Sequence, residues 1–188
     1  MGLDMYLNKE IYLSEYNDET REIIPKANNL IKLAGNQRVK TMTVEVAYWS
    51  KANAIHNWFI QNLSCGEDDC QDICVDVDDL IKLRDTCKRV LDALEQGGME
   101  TKAIQNGWRY DPSSANNTGA IMEEMEVYKD TSVAIELLPP IEGFFFGSTE
   151  IGPWYVDDLK DTVKMIDDEL SIDADYRKHW DYTYRASW

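Results

Sequence analysis

Basic residues are scarce in this 188-residue chain: 19 Lys and Arg stand against 35 Asp and Glu, a formal net charge of −16. A surface this acidic repels duplex DNA and anionic membranes, which are normally held through Lys and Arg, so direct nucleic-acid binding is not expected. The same charge suits solubility, attraction to a basic protein surface, or imitation of a phosphate backbone. Long apolar runs are missing as well. None approaches the ~20 residues that cross a bilayer, and Met1-Gly2-Leu3-Asp4-Met5-Tyr6 lacks the basic region and apolar core of a signal peptide. A cytoplasmic protein without membrane association is expected. Cysteine and histidine are few. Cys65, Cys70, Cys74 and Cys87 contain no C-x2-C pair, and no His stands at ligand distance downstream. Reduced thiols, and no metal site, are the expectation. A Gly-rich phosphate loop, a G-x-S-x-G elbow and kinase or zinc-protease signatures are all lacking, so no cofactor is called for.

What is present reads as one α+β domain over residues 1–188, with a mostly antiparallel sheet and about three main helices. Residues 3–13 alternate apolar and polar as a first strand, and 39–48 alternate as a second. A helix over 49–63 follows by periodicity, with Ala52, Ile55, Phe59 and Leu63 on its core face and Trp49, Asn53, His56 and Ile60 beside it. A short strand over 73–75 precedes a helix capped by Asp76 or Asp78 and ended by Gly97-Gly98. From 99 to about 130 the pattern weakens into an irregular excursion rich in turn residues, among them Asn116-Asn117, with an acidic helical piece near 121–127. Residues 128–138 could continue as helix until Pro139-Pro140. A buried strand over 143–147, a helix after Pro153 to about Leu170 and a closing strand over 176–188 beside the first complete the reading.

The densest mixture of rings and hydrogen-bonding groups lies in Tyr48, Trp49, Lys51, Asn53, His56 and Asn57. Flat rings can stack a base, the two amides can read donor and acceptor edges of a heterocycle, and Lys51 can meet a phosphate. The turn Ser148-Thr149-Glu150 and the nearby Tyr155 stand at a helix N-terminus, whose free amides favour anions. These ten residues are the candidate ligand-binding set; no catalytic residue is assigned, since no nucleophile–base pair is readable. His56 reads either as a structural residue or as a general base oriented by Glu45 or Glu150.

The segments Met1–Leu7, Tyr48–Phe59 and Gly143–Glu150, with Asp68-Asp69-Cys70 and Asp157-Asp158-Leu159, resemble a family of small phage and prophage proteins. These begin Met-Gly-Leu-Asp-Met-Tyr-Leu and share a Tyr-Trp-x-Lys-Ala-Asn-x-Ile-His-x-Trp-Phe helix and a Gly-Phe-Phe-Phe-Gly-Ser-Thr-Glu turn. The resemblance spans most of the chain outside 99–129 and brings no established chemistry. It implies a phage protein acting in the host cytoplasm, where small early proteins often counter host defence, some by sequestering nucleotide-derived immune signals. Three classes stay open: a nucleotide-binding sequestering protein, an acidic protein-binding inhibitor or nucleic-acid mimic, and a nucleotide hydrolase using His56 with a carboxylate. Six Trp and ten Tyr would also serve as interface anchors for a homodimer.

Overall fold

The computed structural model describes residues 2–114, 118–143 and 146–188. The chain is α+β. Strand β1 (Asp4–Tyr12) is followed by short helices α1 (Asp18–Arg21) and α2 (Ile23–Ile31), then strand β2 (Thr41–Ser50) and helix α3 (Asn53–Leu63). Next come β3 (Ile73–Val75), α4 (Val77–Gly97), the hairpin β4 (Met99–Tyr110) and β5 (Thr118–Tyr128), and α5 (Ser132–Leu137). Helices α6 (Pro153–Leu170) and α7 (Ala174–Arg177) and strand β6 (Asp181–Ser187) close the chain. The four-stranded sheet runs β2-β1-β6-β3, antiparallel throughout, so the two ends of the chain pair at its centre.

The sheet buries alternate residues, as a period of two requires: Met5 and Leu7 on β1, Ala47 and Trp49 on β2, Tyr182 and Tyr184 on β6. Helices α4 and α6 pack on that row through stripes at three- and four-residue spacing, Leu80, Leu83, Cys87, Val90 and Leu94 against Val156, Leu159 and Ile166. Asp76 and Asp79 form a capping box at the start of α4. Phe59 of α3 stacks on Tyr184 of β6 with ring centroids 3.9 Å apart and planes 10° from parallel, which fixes α3 over the sheet. Burial holds the Cys87 thiol up to about 12, so it remains a neutral core group.

Five expectations are corrected. The expected helix over 49–63 is displaced: β2 continues through Tyr48 and Trp49, which pair with Tyr6 and Met5, and α3 begins only at Asn53. The break is Lys51, whose φ of 62° is left-handed and ends the extended run. The excursion over 99–130 is a regular antiparallel hairpin, with a register shift between Gln105 and Trp108 where Gly107 takes φ 110°. It hid from hydrophobic patterning because most of its described side chains are exposed and only Ile104 and Val127 are buried. Tyr128 belongs to β5, and within 128–138 the helix is confined to Ser132–Leu137. Within 176–188 the first residues complete α7, capped by Asp173, and the strand starts at Asp181. Of the strand expected over 143–147, Gly143, Phe146 and Gly147 are not in a strand, while Phe144 and Phe145, like the turn residues Asn116 and Asn117, lie outside the described residues.

Candidate functional site

The switch from β2 to α3 builds one wall of a hollow of about 440 Å³, and the segment from Gly147 into α6 builds the other. Lys51, Asn53, Ser148, Glu150, Trp154, Tyr155 and Asp158 supply its side chains. The two walls are held together by Asn53, whose Nδ2 donates to the carbonyls of Phe146 (3.1 Å) and Ser148 (2.9 Å). Gly147 completes the junction. Its φ of 92° favours glycine, and a Cβ there would stand 3.2 Å from the Lys51 Cβ. Behind the hollow, Trp49 Nε1 donates to Thr162 Oγ1 at 2.8 Å, and Thr162 Oγ1 donates to the Asp158 carbonyl at 2.6 Å. Strand β2 is thereby tied to α6.

The ten candidate residues divide. Lys51, Asn53, Ser148, Glu150 and Tyr155 share this hollow. Tyr155 is buried, its hydroxyl donates to the Leu138 carbonyl at 2.9 Å, and burial raises its pKa. Thr149 instead lines a neighbouring concavity that also reaches Glu150. Tyr48 stands on the solvent side of β2, donating to Asp4 Oδ1 at 2.6 Å. That bond raises the Tyr48 pKa. Trp49 is core and offers no stacking face. Asn57 is buried and donates to the Pro139 carbonyl at 3.0 Å.

His56 has no exposed surface. Its Nδ1 lies 2.7 Å from the Tyr184 hydroxyl and its Nε2 3.0 Å from Asp68 Oδ2, with Phe146 and Trp188 against the ring. Both nitrogens are spent inside the protein. Neither Glu45 nor Glu150 is the carboxylate that meets it.

Two residues of the hollow escaped the sequence reading. Trp154, 74% exposed in the first turn of α6, is the one large ring on its wall with a free face. Asp158 follows it by four residues and so shares its side of the helix. Partial burial, with Asp161 and Asp157 nearby, raises the Asp158 pKa to about 7 from 3.8. The signal was available: an aromatic directly after a helix-starting Pro, with a carboxylate one turn on.

The raised pKa of Asp158 couples stability to pH. Between pH 3.8 and about 7 the unfolded carboxyl has lost its proton while the folded one keeps it. The folded state binds more protons there, so stability falls as pH rises through that window and stays lowered above it. Asp158→Asn is expected to raise stability at alkaline pH by about 1–2 kcal/mol, after discounting for solvent screening. Melting curves at acid and alkaline pH check this; a melting temperature that Asn leaves unchanged on the alkaline side contradicts it.

Among the described residues no group of three or more His, Cys, Asp or Glu is placed to hold a metal ion, and no helix is long and apolar enough to cross a membrane. The chain matches no protein-family model, no curated protein and no solved structure.

Proposed function

We propose that this protein binds a small, flat, polar molecule of the nucleotide class and holds it without converting it. On this reading it is a phage-encoded protein that sequesters a nucleotide-derived immune signal in the host cytoplasm. The observation that carries the binding reading is the meeting of two distant segments over one hollow, with Lys51, Asn53, Ser148 and Trp154 on its walls. The open face of Trp154 offers a stacking platform worth ~1–3 kcal/mol per base. Lys51 is exposed and makes no ion pair with any described residue, which leaves its ammonium for a phosphate. The first-turn amides of α6 carry no side-chain cap and add donors beside Ser148. Glu150 and Asp158 oppose an anion, and Asp158 opposes it least when protonated. Catalysis by His56 is not proposed, since both ring nitrogens are engaged and the ring is enclosed.

Thermal-shift and calorimetric titrations with cyclic dinucleotides and ADP-ribose derivatives test the reading. A ligand at about a hundred times its dissociation constant should stabilise the fold by ~2.7 kcal/mol. Trp154→Ala and Lys51→Ala should each weaken binding on the order of tenfold or more. Absence of any shift at saturating nucleotide sinks the proposal, and turnover seen by chromatography replaces sequestration with hydrolysis.

A protein-partner reading draws on a separate observation. The outward face of the β4–β5 hairpin carries exposed Trp108, Tyr110 and Met122 beside Glu124 and Glu126. Paired Trp108→Ala and Tyr110→Ala substitutions should leave nucleotide binding intact, so the two readings are separable.

A further inference from the structure

A second concavity, about 480 Å³, lies between α3, α4 and the end of α5. Its α4 wall is Lys82, Thr86 and Arg89, spaced by four and three residues and therefore on one stripe of the helix. Its α3 wall presents Asn57, Trp58, Gln61 and Asn62, so amides face cations across the groove. In a chain of net charge −16 this grouping is unusual.

The cations elsewhere on α4 are neutralised internally: Arg84 meets Asp85 and Asp167, and Lys88 meets Asp167. Lys82 and Arg89 are not. The Lys82 ammonium donates to Asn62 Oδ1 at 3.1 Å and stands 5.8 Å over the Trp58 ring, contacts that hold it at the groove while leaving its charge uncancelled. Asn62 is itself fixed, its Nδ2 donating to the Trp58 carbonyl at 2.8 Å. The side chains of Arg89 and Gln61 make no hydrogen bond or ion pair with a described residue. Glu136 is the carboxylate on the rim, and it forms an ion pair with neither cation.

We propose that this groove is a binding site for a small phosphate-type oxyanion. The guanidinium fork of Arg89 would pair two of its oxygens, the Lys82 ammonium a third, and the Gln61 amide would donate beside them. Two uncancelled cations favour a divalent anion over a monovalent one, because attraction scales with the product of charges while the acidic surroundings repel both. The two basic residues start about 10 Å apart along the helix, a spacing that their long side chains can close on one phosphate or spread along a pyrophosphate. The site is independent of the nucleotide hollow and does not rest on it.

Titration of isotope-labelled protein with inorganic phosphate and with pyrophosphate, followed by ¹H–¹⁵N spectra at constant ionic strength, tests the proposal. Saturable shifts are expected at the side-chain amides of Gln61 and Asn62 and at Arg89 Nε, tighter for pyrophosphate. Lys82→Gln with Arg89→Gln should weaken binding on the order of tenfold or more, and both positions are exposed, so the fold should survive. Lys51→Ala and Trp154→Ala should change nothing here. Shifts that chloride reproduces, that never saturate, or that persist in the double variant overturn the site.

Discussion

Glu169→Gln is expected to lower the melting temperature by roughly 10 °C, from a loss of about 3–5 kcal/mol at 2–4 °C for each. Lys9 occupies the inward row of β1, between Leu7 and Ile11, where a chain with no other constraint would carry an aliphatic residue. Its Nζ donates to both Glu169 oxygens at 2.8 Å, lies 5.2 Å over the Trp180 ring, and is only 8% exposed against 7% for Glu169. Tyr182 donates to Glu169 Oε1 at 2.7 Å, and burial together with that carboxylate raises the Tyr182 pKa. Three elements, β1, α6 and β6, thus meet on one buried ion pair. Removing one partner leaves the other charge buried and uncompensated, which costs far more than the pair contributes against an apolar replacement. The double variant Lys9→Met with Glu169→Met should therefore recover much of what either single change loses. Thermal melts of Glu169→Gln, Lys9→Met and the double variant decide it, and single variants within a degree or two of the parent would show that water reaches the pair.

The parts of the fold that were legible in the sequence are those where one face is buried and the other wet. The alternation of Leu3, Met5 and Leu7 marks β1, the stripe from Leu80 to Leu94 marks α4, and the tail strand lies beside the first. The hairpin was illegible for the converse reason: with only Ile104 and Val127 buried, its strands show almost no apolar period to detect. Around the site the difficulty was different. Tyr48 and Trp49 fit either a helix or a strand by composition, and the deciding feature is the backbone of Lys51, since no local rule forces a lysine into the left-handed region. Strand alternation puts Trp49 in the core, and the kink turns Lys51 and Asn53 toward the 147–158 segment. Asn53 was legible as an amide able to meet a ligand's edge, but its partners are carbonyls 93 and 95 residues away. Histidine 56 was read from its type; its enclosure by Tyr184, Asp68 and Trp188 depends on contacts no spacing encodes.

His56→Leu is expected to cost about 2–4 kcal/mol of stability, because the imidazole joins α3, the loop that carries Asp68 and β6 while satisfying two polar groups. The tautomer follows from its neighbours. Burial and Asp68 hold the Tyr184 pKa well above its ordinary value, so its hydroxyl keeps its proton, and because a carboxylate at Nε2 can only accept, the hydroxyl is placed to donate to Nδ1. Nε2 then carries the remaining proton and donates to Asp68. Leucine fills most of the space yet strands the Tyr184 hydroxyl in the core, whereas Asp68, partly exposed, can turn to water. Adding Tyr184→Phe to His56→Leu should therefore cost less than the sum of the two single changes, by about 1 kcal/mol or more. Denaturant unfolding of the four proteins measures that coupling; strict additivity would mean that the hydroxyl and the ring do not depend on each other. The same variants separate structure from chemistry. If His56 acts only as a clamp, His56→Leu binds nucleotide as the parent does at temperatures where it remains folded, and a loss of binding there without unfolding would return the ring to the ligand site.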